Sequence, residues 1–432
     1  MSDVLITGAA AFGGKSSDLG ISGGVFVDPS ELAGKKKTQV VDAAGLVALP
    51  GLVDLHTHLR QPGGEQAETI LSGSRAAALG GFTAVHAMAN TTPVSDTAEL
   101  VTQVWQWGVA AGYVDVRPVG AVTKGLSGEH LAPLGSMARS TPQVRVFSDD
   151  GKCVHDSALM KRALEQARSL DAVIAQHAQD PHLTEGAQMN DGPLAATLGL
   201  AGWPAVAEES IIARDVLLAE SVGARLHVCH LSTAGSVEVV RWAKARGIAV
   251  TAEVTPHHLL LTEDRVSSFD PLFKVNPPLR RTEDTLALRE AVAAGVIDIV
   301  ATDHAPHPSE SKDCAFPEGA FGMVGLESAL SVVLATLVEP GLVNLRDVAR
   351  IMSTAPASIG RVAGYENPLG WGSPAHLTLV DPTAVAPEPH GSLSRNNPYQ
   401  GEALKGRVVH TFYTGTQTVD DGEAVDLPER TA

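Results

Sequence analysis

Residues 52–58 read Leu-Val-Asp-Leu-His-Thr-His, a short apolar run that ends in two histidines one residue apart. After it, apolar runs of strand length alternate with stretches in which apolar residues recur every three or four positions. The first pattern is typical of buried β-strands and the second of amphipathic helices. The alternation continues for about 250 residues and therefore predicts repeated βα units.

Eight strand-like runs follow one another in this region, and eight parallel strands are what a closed (β/α)8 barrel requires. An open, doubly wound sheet is the second choice, because no Gly-x-Gly-x-x-Gly turn follows the first run. We therefore expect an α/β fold, with a TIM-like (β/α)8 barrel over residues 52–366. The runs are 52–55, 83–86, 115–119, 143–147, 172–176, 225–229, 249–254 and 298–301, and helical stretches between them include 74–79, 215–221, 236–244 and 285–293.

The two ends of the chain have a different sequence pattern, in which short strand-like runs are separated by glycine and proline. Neither end has enough apolar sequence for a core of its own. We therefore expect residues 1–51 and 367–432 to meet as one small composite β-sandwich domain. The strand-like runs are 4–7, 25–27, 39–42, 375–382 and 407–413, and the glycine-rich segment 13–24 is expected to be a turn region.

Composition excludes several classes of protein. The 432 residues include 32 basic and 49 acidic side chains, and the resulting net charge of −17 opposes binding to a phosphate backbone. No uninterrupted apolar stretch reaches the roughly 18 residues of a membrane span, and the N-terminus lacks signal-peptide features. Three scattered cysteines, Cys153, Cys229 and Cys314, form no metal or disulfide pattern. We expect a cytoplasmic protein without a nucleic-acid or membrane partner.

Metal-competent side chains stand at the ends of five of the eight strand-like runs. The C-terminal ends of barrel strands meet at one mouth, where active sites are built. A single strand-end histidine is more often structural, but five such coincidences at one mouth favour a metal centre. Four histidines and two carboxylates suit zinc or a similar divalent metal and suffice for two ions. The residues are His56, His58, Asp150, His177, His230 and Asp303.

Such a centre suits hydrolysis of an amide-like bond. Paired metal ions activate water at neutral pH and polarise a carbonyl oxygen. A carboxylate on the last strand, here Asp303, can then carry the proton to the leaving nitrogen.

Two motifs carry a family resemblance. Residues 54–63 read Asp-Leu-His-Thr-His-Leu-Arg-Gln-Pro-Gly and resemble the Asp-x-His-x-His-x-Arg-x-Pro-Gly signature of the cyclic amidohydrolases. Residues 301–307, Ala-Thr-Asp-His-Ala-Pro-His, resemble the closing motif of that superfamily. The resemblance covers the whole chain, including the domain built from both ends. Within the superfamily the chain is most similar to bacterial class I dihydroorotases, whose further marks recur at 89–93, 147–151, 230–233 and 274–280.

The resemblance implies reversible conversion of L-dihydroorotate to N-carbamoyl-L-aspartate, a step of pyrimidine synthesis, with two zinc ions per subunit. It makes His56, His58 and Asp303 the ligands of one ion. His177 and His230 bind the other, and Asp150 bridges the two. Many relatives bridge with a carbamylated lysine; Lys152 is near, but its use would break the match around Asp150.

The resemblance also assigns the substrate contacts. Arg60, Asn90 and His307 would bind the substrate carboxylate, which suits the fork geometry of a guanidinium. Without the resemblance, Arg60 is equally explained by a surface ion pair and Asn90 by a turn. Ala89 replaces a proline that relatives usually have beside Asn90. The remaining contacts are Asn276 to the ring amide, and the backbone amides of Phe321 and Gly322 to the ring carbonyls.

Several features stay open on the sequence alone. The segment 308–325 either lines the mouth or is a plain connector. His257 and His258 are candidates for contacts behind the metal ligands, whereas His86 is expected to pack in the barrel. The rival functions are a hydantoinase or allantoinase, and a silent homologue that serves aspartate carbamoyltransferase as a structural partner. The resemblance further implies a homo-oligomer and a possible complex with that enzyme.

Overall fold

A computed structural model describes residues 3–428 as a mixed α/β structure. Among these residues, none of the helices has the length and apolar character needed to cross a membrane. The strands are β1 (Val4–Ala11), β2 (Ser16–Ser22), β3 (Val25–Val27), β4 (Gln39–Asp42), β5 (Val47–Pro50), β6 (Leu52–Thr57), β7 (Phe82–Ala87), β8 (Asp115–Pro118), β9 (Val146–Phe147), β10 (Val173–Gln176), β11 (Met189–Asn190), β12 (Gly202–Trp203), β13 (Leu226–Val228), β14 (Val250–Val254), β15 (Ile299–Val300), β16 (Leu377–Val385), β17 (Lys405–Tyr413), β18 (Thr416–Asp420) and β19 (Glu423–Ala424).

Helices follow most of the central strands. Two π-helical segments, Leu334–Val338 and Arg350–Thr354, continue the helices that precede them. The α-helices are α1 (Ile70–Leu79), α2 (Ala98–Ala111), α3 (Leu134–Ala138), α4 (Ser157–Ser169), α5 (Pro193–Leu198), α6 (Val206–Val222), α7 (Ala234–Ala245), α8 (Pro256–Leu260), α9 (Thr282–Ala293), α10 (Ala329–Val333), α11 (Leu345–Ala349) and α12 (Ala355–Gly360).

Threonine side chains start several of these helices. The hydroxyls of Thr69, Thr97 and Thr233 accept hydrogen bonds from first-turn backbone amides of α1, α2 and α7. Such caps satisfy amides that have no partner inside the helix. Gly112 and Gly223 end α2 and α6 in the left-handed conformation that glycine adopts without strain. The four predicted helical stretches lie within α1, α6, α7 and α9, so these predictions are confirmed.

The central strands pair in parallel and in chain order. One sheet has the order β6-β7-β8, and another has the order β15-β14-β13-β10-β9. Two isolated parallel bridges join the edges of these sheets, from Gly120 to Phe147 and from Thr57 to His304. All eight predicted strands are confirmed. One buried apolar cluster draws on strands of both sheets and includes Leu55, Val146, Val173 and Ile299.

The two ends of the chain lie in one nine-stranded sheet. Its order is β19-β18-β17-β16-β5-β1-β2-β3, and β4 pairs with β1. The antiparallel pair β5 and β16 joins the ends, with Pro50 opposite Leu377. The predicted turn region 13–24 is confirmed only at its two ends, 13–15 and 23–24, because β2 occupies the residues between them. Gly20 allows the close approach there, since a Cβ would lie 3.0 Å from the Val27 carbonyl oxygen.

Candidate active site

The six predicted metal ligands converge at the C-terminal ends of the parallel strands. All six are buried. These six residues form two groups whose potential ligand atoms lie within 4.8 Å of one another, and Asp150 belongs to both. The first group is His56, His58, Asp150 and Asp303, and the second is Asp150, His177 and His230.

Asp150 lies at the centre of the cluster. Its Oδ1 is 3.3 Å from His56 Nε2, 3.3 Å from His177 Nδ1 and 3.4 Å from His230 Nε2. Its Oδ2 is 3.2 Å from His58 Nε2. One carboxylate therefore contacts all four histidines, which is the position that a bridging ligand requires.

Asp303 approaches only one side of the cluster. Its Oδ1 is 3.0 Å from His58 Nε2 and 3.4 Å from His56 Nε2. On the other side, His177 Nδ1 and His230 Nε2 are 2.8 Å apart. The cluster thus has two halves that share Asp150.

The donor set fits divalent cations. His56 Nε2 and Asp150 Oδ1 are buried and make no hydrogen bond, although they lie 3.3 Å apart. Unpartnered buried polar atoms are rare in folded proteins and call for a partner such as an ion. Imidazole nitrogens and carboxylate oxygens are ligands that zinc and similar metals prefer. The centre is therefore a candidate metal site.

Both carboxylates are held ionised. Burial raises the pKa of Asp150, but the neighbouring rings of His56, His177 and His230 outweigh burial and bring that pKa well below its usual range. Burial likewise raises the pKa of Asp303, yet His56 and His58 bring it down to about 2. Ionised carboxylates bind a cation without first losing a proton.

Hydrogen bonds from outside the cluster fix the orientation of three histidine rings. The outer nitrogen of His56, Nδ1, lies 2.6 Å from Glu253 Oε1. His58 Nδ1 is 2.9 Å from Asn90 Oδ1, and His177 Nε2 is 2.7 Å from Gln179 Oε1. Because these oxygens accept the ring N–H, the nitrogen that faces the cluster keeps its lone pair for a metal.

Backbone conformation also positions the ligands. His230 and Asp303 have positive φ angles of 32° and 46°, and Arg60 has a φ of 59°. Left-handed backbone at residues other than glycine is strained and often concentrates at functional sites. Asp54 holds β6 beside the end of β15, because its carboxylate accepts from the backbone amides of His56 and Thr302.

Glu253, the fourth of the five residues of β14, is a site residue that the sequence did not indicate. Besides His56 Nδ1, its carboxylate contacts His227 Nε2 at 3.0 Å and accepts from the His230 amide at 3.3 Å. Burial raises the pKa of Glu253, but His56 and His227 bring it far below its usual value. A charged residue within an apolar run gives no sequence signal for this role.

Replacement of Glu253 by leucine is expected to lower the free energy of unfolding of the metal-free protein by about 3 kcal/mol. The reason is that three buried N–H groups lose their common acceptor. Urea titration after chelation measures the effect without any contribution from metal binding. Thr251→Val is the matched control, because it removes the outer contact to His227 (2.9 Å) and a long bond to the Leu226 carbonyl (3.4 Å) while keeping Glu253, and it should cost about 1 kcal/mol. Equal stability of Glu253→Leu and the wild type would contradict this role.

The predicted carboxylate contacts lie beside the cluster. Arg60 Nη2 is 3.4 Å from His307 Nε2, and Arg60 Nε donates to the Pro306 carbonyl. Arg60 is half-buried and pairs with no carboxylate within 4.0 Å among residues 3–428, so the surface ion pair is wrong. Burial lowers its pKa to about 10, which leaves it charged at neutral pH. Asn90 lies beside the cluster, where its Oδ1 accepts a hydrogen bond from His58 Nδ1.

Asn276 and His307 differ in which of their polar atoms are already hydrogen-bonded. Asn276 Nδ2 donates to Gln179 Oε1 (3.0 Å), while its own Oδ1 is buried without a hydrogen-bond partner. Burial and the charge of Arg60 lower the pKa of His307 to about 3. The neutral ring donates from Nε2 to the Phe321 carbonyl at 2.8 Å.

The role predicted for the Gly322 amide needs a correction. Its N–H already donates to the Lys274 carbonyl at 2.9 Å and is not free for a ring carbonyl. Glycine is required there for another reason: φ is 139°, and a Cβ would lie 2.7 Å from that of Ala305. Phe321 packs edge-on against Trp203, with ring centroids 6.1 Å apart.

Other residues singled out from the sequence occupy distinct places. Lys152 is exposed, unlike the buried Asp150, so it does not supply the bridge in this structure. His86 is buried and bonds to the Asp54 carbonyl oxygen, as expected of a packed residue. His257 is buried, and its Nε2 makes no hydrogen bond. His258 bonds to Thr255 and to the Pro277 carbonyl, away from the cluster.

The segment 308–325 is more ordered than its sequence suggested. It contains two short 3-10 turns, Ser309–Ser311 and Phe316–Glu318. Lys312 Nζ donates to the carbonyls of Pro271, Lys274 and Ala320. These bonds tie the segment to the chain that precedes Asn276.

Comparison with known proteins decides the family. A family model described as Dihydro-orotase-like matches residues 45–236. The protein named Dihydroorotase from Leifsonia xyli subsp. xyli is 62% identical over 425 residues, which cover 98% of this chain and 97% of that protein. The chain belongs to the dihydroorotase family. Dihydroorotases of Streptomyces coelicolor and Mycobacterium tuberculosis are 60% and 52% identical, and each match covers at least 97% of both chains.

Solved structures show the shared fold of this dihydroorotase family member. An L-hydantoinase (dihydropyrimidinase) from Arthrobacter aurescens matches with a TM-score of 0.87 at 24% identity, over 100% of this chain and 98% of that one. A dihydropyrimidinase from Brevibacillus agri NCHU1002 gives 0.83 at 22% identity, over 99% of both chains. Family and cluster together make the chain a metal-dependent cyclic amidohydrolase, as predicted from the sequence.

Proposed function

We propose that the chain interconverts L-dihydroorotate and N-carbamoyl-L-aspartate in pyrimidine synthesis. The observation that carries this proposal is 62% identity, over nearly the whole chain, to a protein named Dihydroorotase. The buried cluster supports it, because all six predicted ligands are present and converge. A homologue without catalytic activity would not be expected to retain all six ligands.

We assign two zinc ions to the two halves of the cluster. His56, His58 and Asp303 would hold one ion and His177 and His230 the other, with Asp150 shared. When bound, such ions polarise a carbonyl oxygen and lower the pKa of water. The unpartnered atoms His56 Nε2 and Asp150 Oδ1 support this assignment, because a cation between them would satisfy both.

The substrate carboxylate is assigned to Arg60, Asn90 and His307, and for this role His307 must turn its Nε2–H from the Phe321 carbonyl to the substrate. Arg60 brings a positive charge without a carboxylate partner within the described residues, and a guanidinium binds a carboxylate through two parallel bonds. Asn90 Oδ1 bonds to His58, which leaves its Nδ2 as the donor. Asn276 Oδ1 would accept from a ring N–H. The Phe321 amide remains a candidate for a ring carbonyl.

Proton transfer is assigned to Asp303. Its pKa of about 2 makes it an ionised acceptor at neutral pH. It would take a proton from the attacking water and deliver that proton to the leaving ring nitrogen. Ring closure uses the same residue in the reverse direction.

We further propose that the eight parallel strands close into a (β/α)8 barrel. The two bridges at Gly120 and Thr57 support this, because they join the edges of both parallel sheets. Residues 52–366 would form the barrel domain. Residues 1–51 and 367–432, of which 1–2 and 429–432 lie outside the described residues, would form the smaller β-domain, and the pairing of β5 with β16 supports this division. The sandwich arrangement predicted for that domain stays a prediction.

Arg60→Ala is expected to lower kcat/KM for dihydroorotate about 100-fold, mainly through KM, because charge-assisted bonds to the carboxylate are lost. Dihydrouracil has the same ring without the carboxylate and serves as the matched control substrate. Steady-state kinetics on both substrates measures the effect. An unchanged KM for dihydroorotate, or an equal loss on both substrates, would remove Arg60 from the carboxylate site.

The rival cyclic amidohydrolase activities are separated by substrate. The purified, zinc-loaded chain is expected to hydrolyse dihydroorotate and to leave hydantoin and allantoin unchanged. Turnover of only hydantoin or allantoin would overturn the substrate assignment and keep the metal site. The solved hydantoinase structures do not favour that outcome, since identities of 24% and 22% show the fold alone.

Location and assembly stay predictions. The sequence predicts a cytoplasmic homo-oligomer and a possible complex with aspartate carbamoyltransferase. Light scattering coupled to size-exclusion chromatography, on the chain alone and mixed with that enzyme, measures both associations.

A further inference from the structure

Gln179 links the metal-ligand cluster to the predicted substrate contacts through one oxygen atom. Its Oε1 lies 2.7 Å from His177 Nε2 and 3.0 Å from Asn276 Nδ2. A side-chain amide oxygen has two lone pairs and can accept both bonds. On the other side, Gln179 Nε2 donates to Thr184 Oγ1 at 2.8 Å, and that hydroxyl donates to the Asp180 carbonyl. The chain of bonds fixes which end of the amide faces the site.

The bond to His177 determines how that ring faces the cluster. Because Gln179 accepts from Nε2, the proton of the neutral ring lies on Nε2. The lone pair of Nδ1 then points towards His230 Nε2 (2.8 Å) and Asp150 Oδ1 (3.3 Å). A histidine held in this form is ready to bind a metal.

The bond to Asn276 determines how that amide faces the substrate. Its Nδ2 donates to Gln179, so its Oδ1 must lie at the other end of the planar amide group. That Oδ1 is buried and has no hydrogen-bond partner. A buried acceptor without a partner is suited to a ligand N–H. Rotation of Asn276 would place a donor there and would repel the same ligand.

We propose that Gln179 is a positioning residue that couples binding of the second metal to recognition of a ring N–H on the substrate. The inference rests on the proposed function, since it takes His177 as a metal ligand and Asn276 as the ring contact. Gln179 itself touches neither the metal nor the substrate. It sets the proton position on His177 and the rotation of Asn276 with the same oxygen.

The test compares Gln179→Met, which keeps the length of the side chain and removes the acceptor, with Gln179→Glu, which keeps the acceptor. We expect Gln179→Met to lose zinc affinity at one of the two sites about tenfold and to raise KM for dihydroorotate by a similar factor. Gln179→Glu should restore both values. Gln166→Met makes the same chemical change at an exposed position of α4; it is the matched control and should leave both values within twofold of the wild type.

Zinc bound per chain is measured at buffered free zinc, and KM and kcat are measured on zinc-saturated protein. Thermal melting of each variant checks the fold. If Gln179→Met does not fold, Gln179→Asn replaces it, because the shorter side chain cannot reach both donors. The coupling requires that Gln179→Met change both zinc affinity and KM. It would be overturned if either quantity stayed at the wild-type value. If the wild-type chain does not hydrolyse dihydroorotate, the proposed function is overturned instead. The zinc affinity of Gln179→Met would still show whether Gln179 positions His177 as a metal ligand.

Discussion

Asp303→Asn is expected to lower kcat for dihydroorotate about 1,000-fold or more. General acid–base catalysis by a positioned side chain contributes about 100- to 10,000-fold, and an amide cannot take the proton from water. The substitution keeps the shape of the side chain, and its oxygen can still face His58 and His56, which lie 3.0 Å and 3.4 Å away. The fold should therefore persist. Steady-state kinetics together with thermal melting measures both expectations.

Zinc content distinguishes loss of the proton acceptor from loss of the metal. If Asp303→Asn retains two zinc ions and loses turnover, the proton role is supported directly. Asp313→Asn makes the same chemical change at an exposed position of the segment 308–325 and should stay at the wild-type rate. A rate for Asp303→Asn within about tenfold of the wild type would remove Asp303 from proton transfer.

Asp150→Asn is expected to reduce bound zinc from two ions per chain to at most one. The carboxylate contacts all four histidines at 3.2 to 3.4 Å, and its charge is the one that both halves of the cluster share. Loss of contacts behind metal ligands costs about 10- to 100-fold in affinity or activity, so loss of a shared ligand should cost at least 100-fold in kcat. Metal analysis and kinetics measure the two effects.

Lys152→Ala is the control for Asp150→Asn, because a lysine bridge is the alternative found in many relatives. The exposed Lys152 should be dispensable, with zinc content and kcat at wild-type values. Loss of zinc in Lys152→Ala together with retention in Asp150→Asn would reverse the assignment of the bridge.

Much of the framework could be predicted because it depends on local patterns. The eight strands were evident as apolar runs, and the parallel arrangement brings their C-terminal ends together. His177 and His230 are far apart in sequence, yet each follows a strand, so their convergence followed from the fold class. Their ring nitrogens indeed lie 2.8 Å apart.

The supporting residues could not be predicted, because their roles depend on neighbours distant in sequence. Glu253 stands inside an apolar strand, and its contact with His56 spans 197 positions of the chain. Gln179 is one polar residue in a loop, and its bond to Asn276 spans 97 positions. The Gly322 amide was misassigned for the same reason, since its acceptor, the Lys274 carbonyl, lies on another segment.

The measurement that tests the central claim most directly is dihydroorotate hydrolysis by the purified chain, followed by absorbance. The assay is run before chelation, after chelation and after zinc is restored, with hydantoin and allantoin as control substrates. We expect activity on dihydroorotate alone, its loss on chelation and its recovery with zinc. Absence of activity on every substrate despite two bound zinc ions would contradict the account and would favour the silent structural homologue.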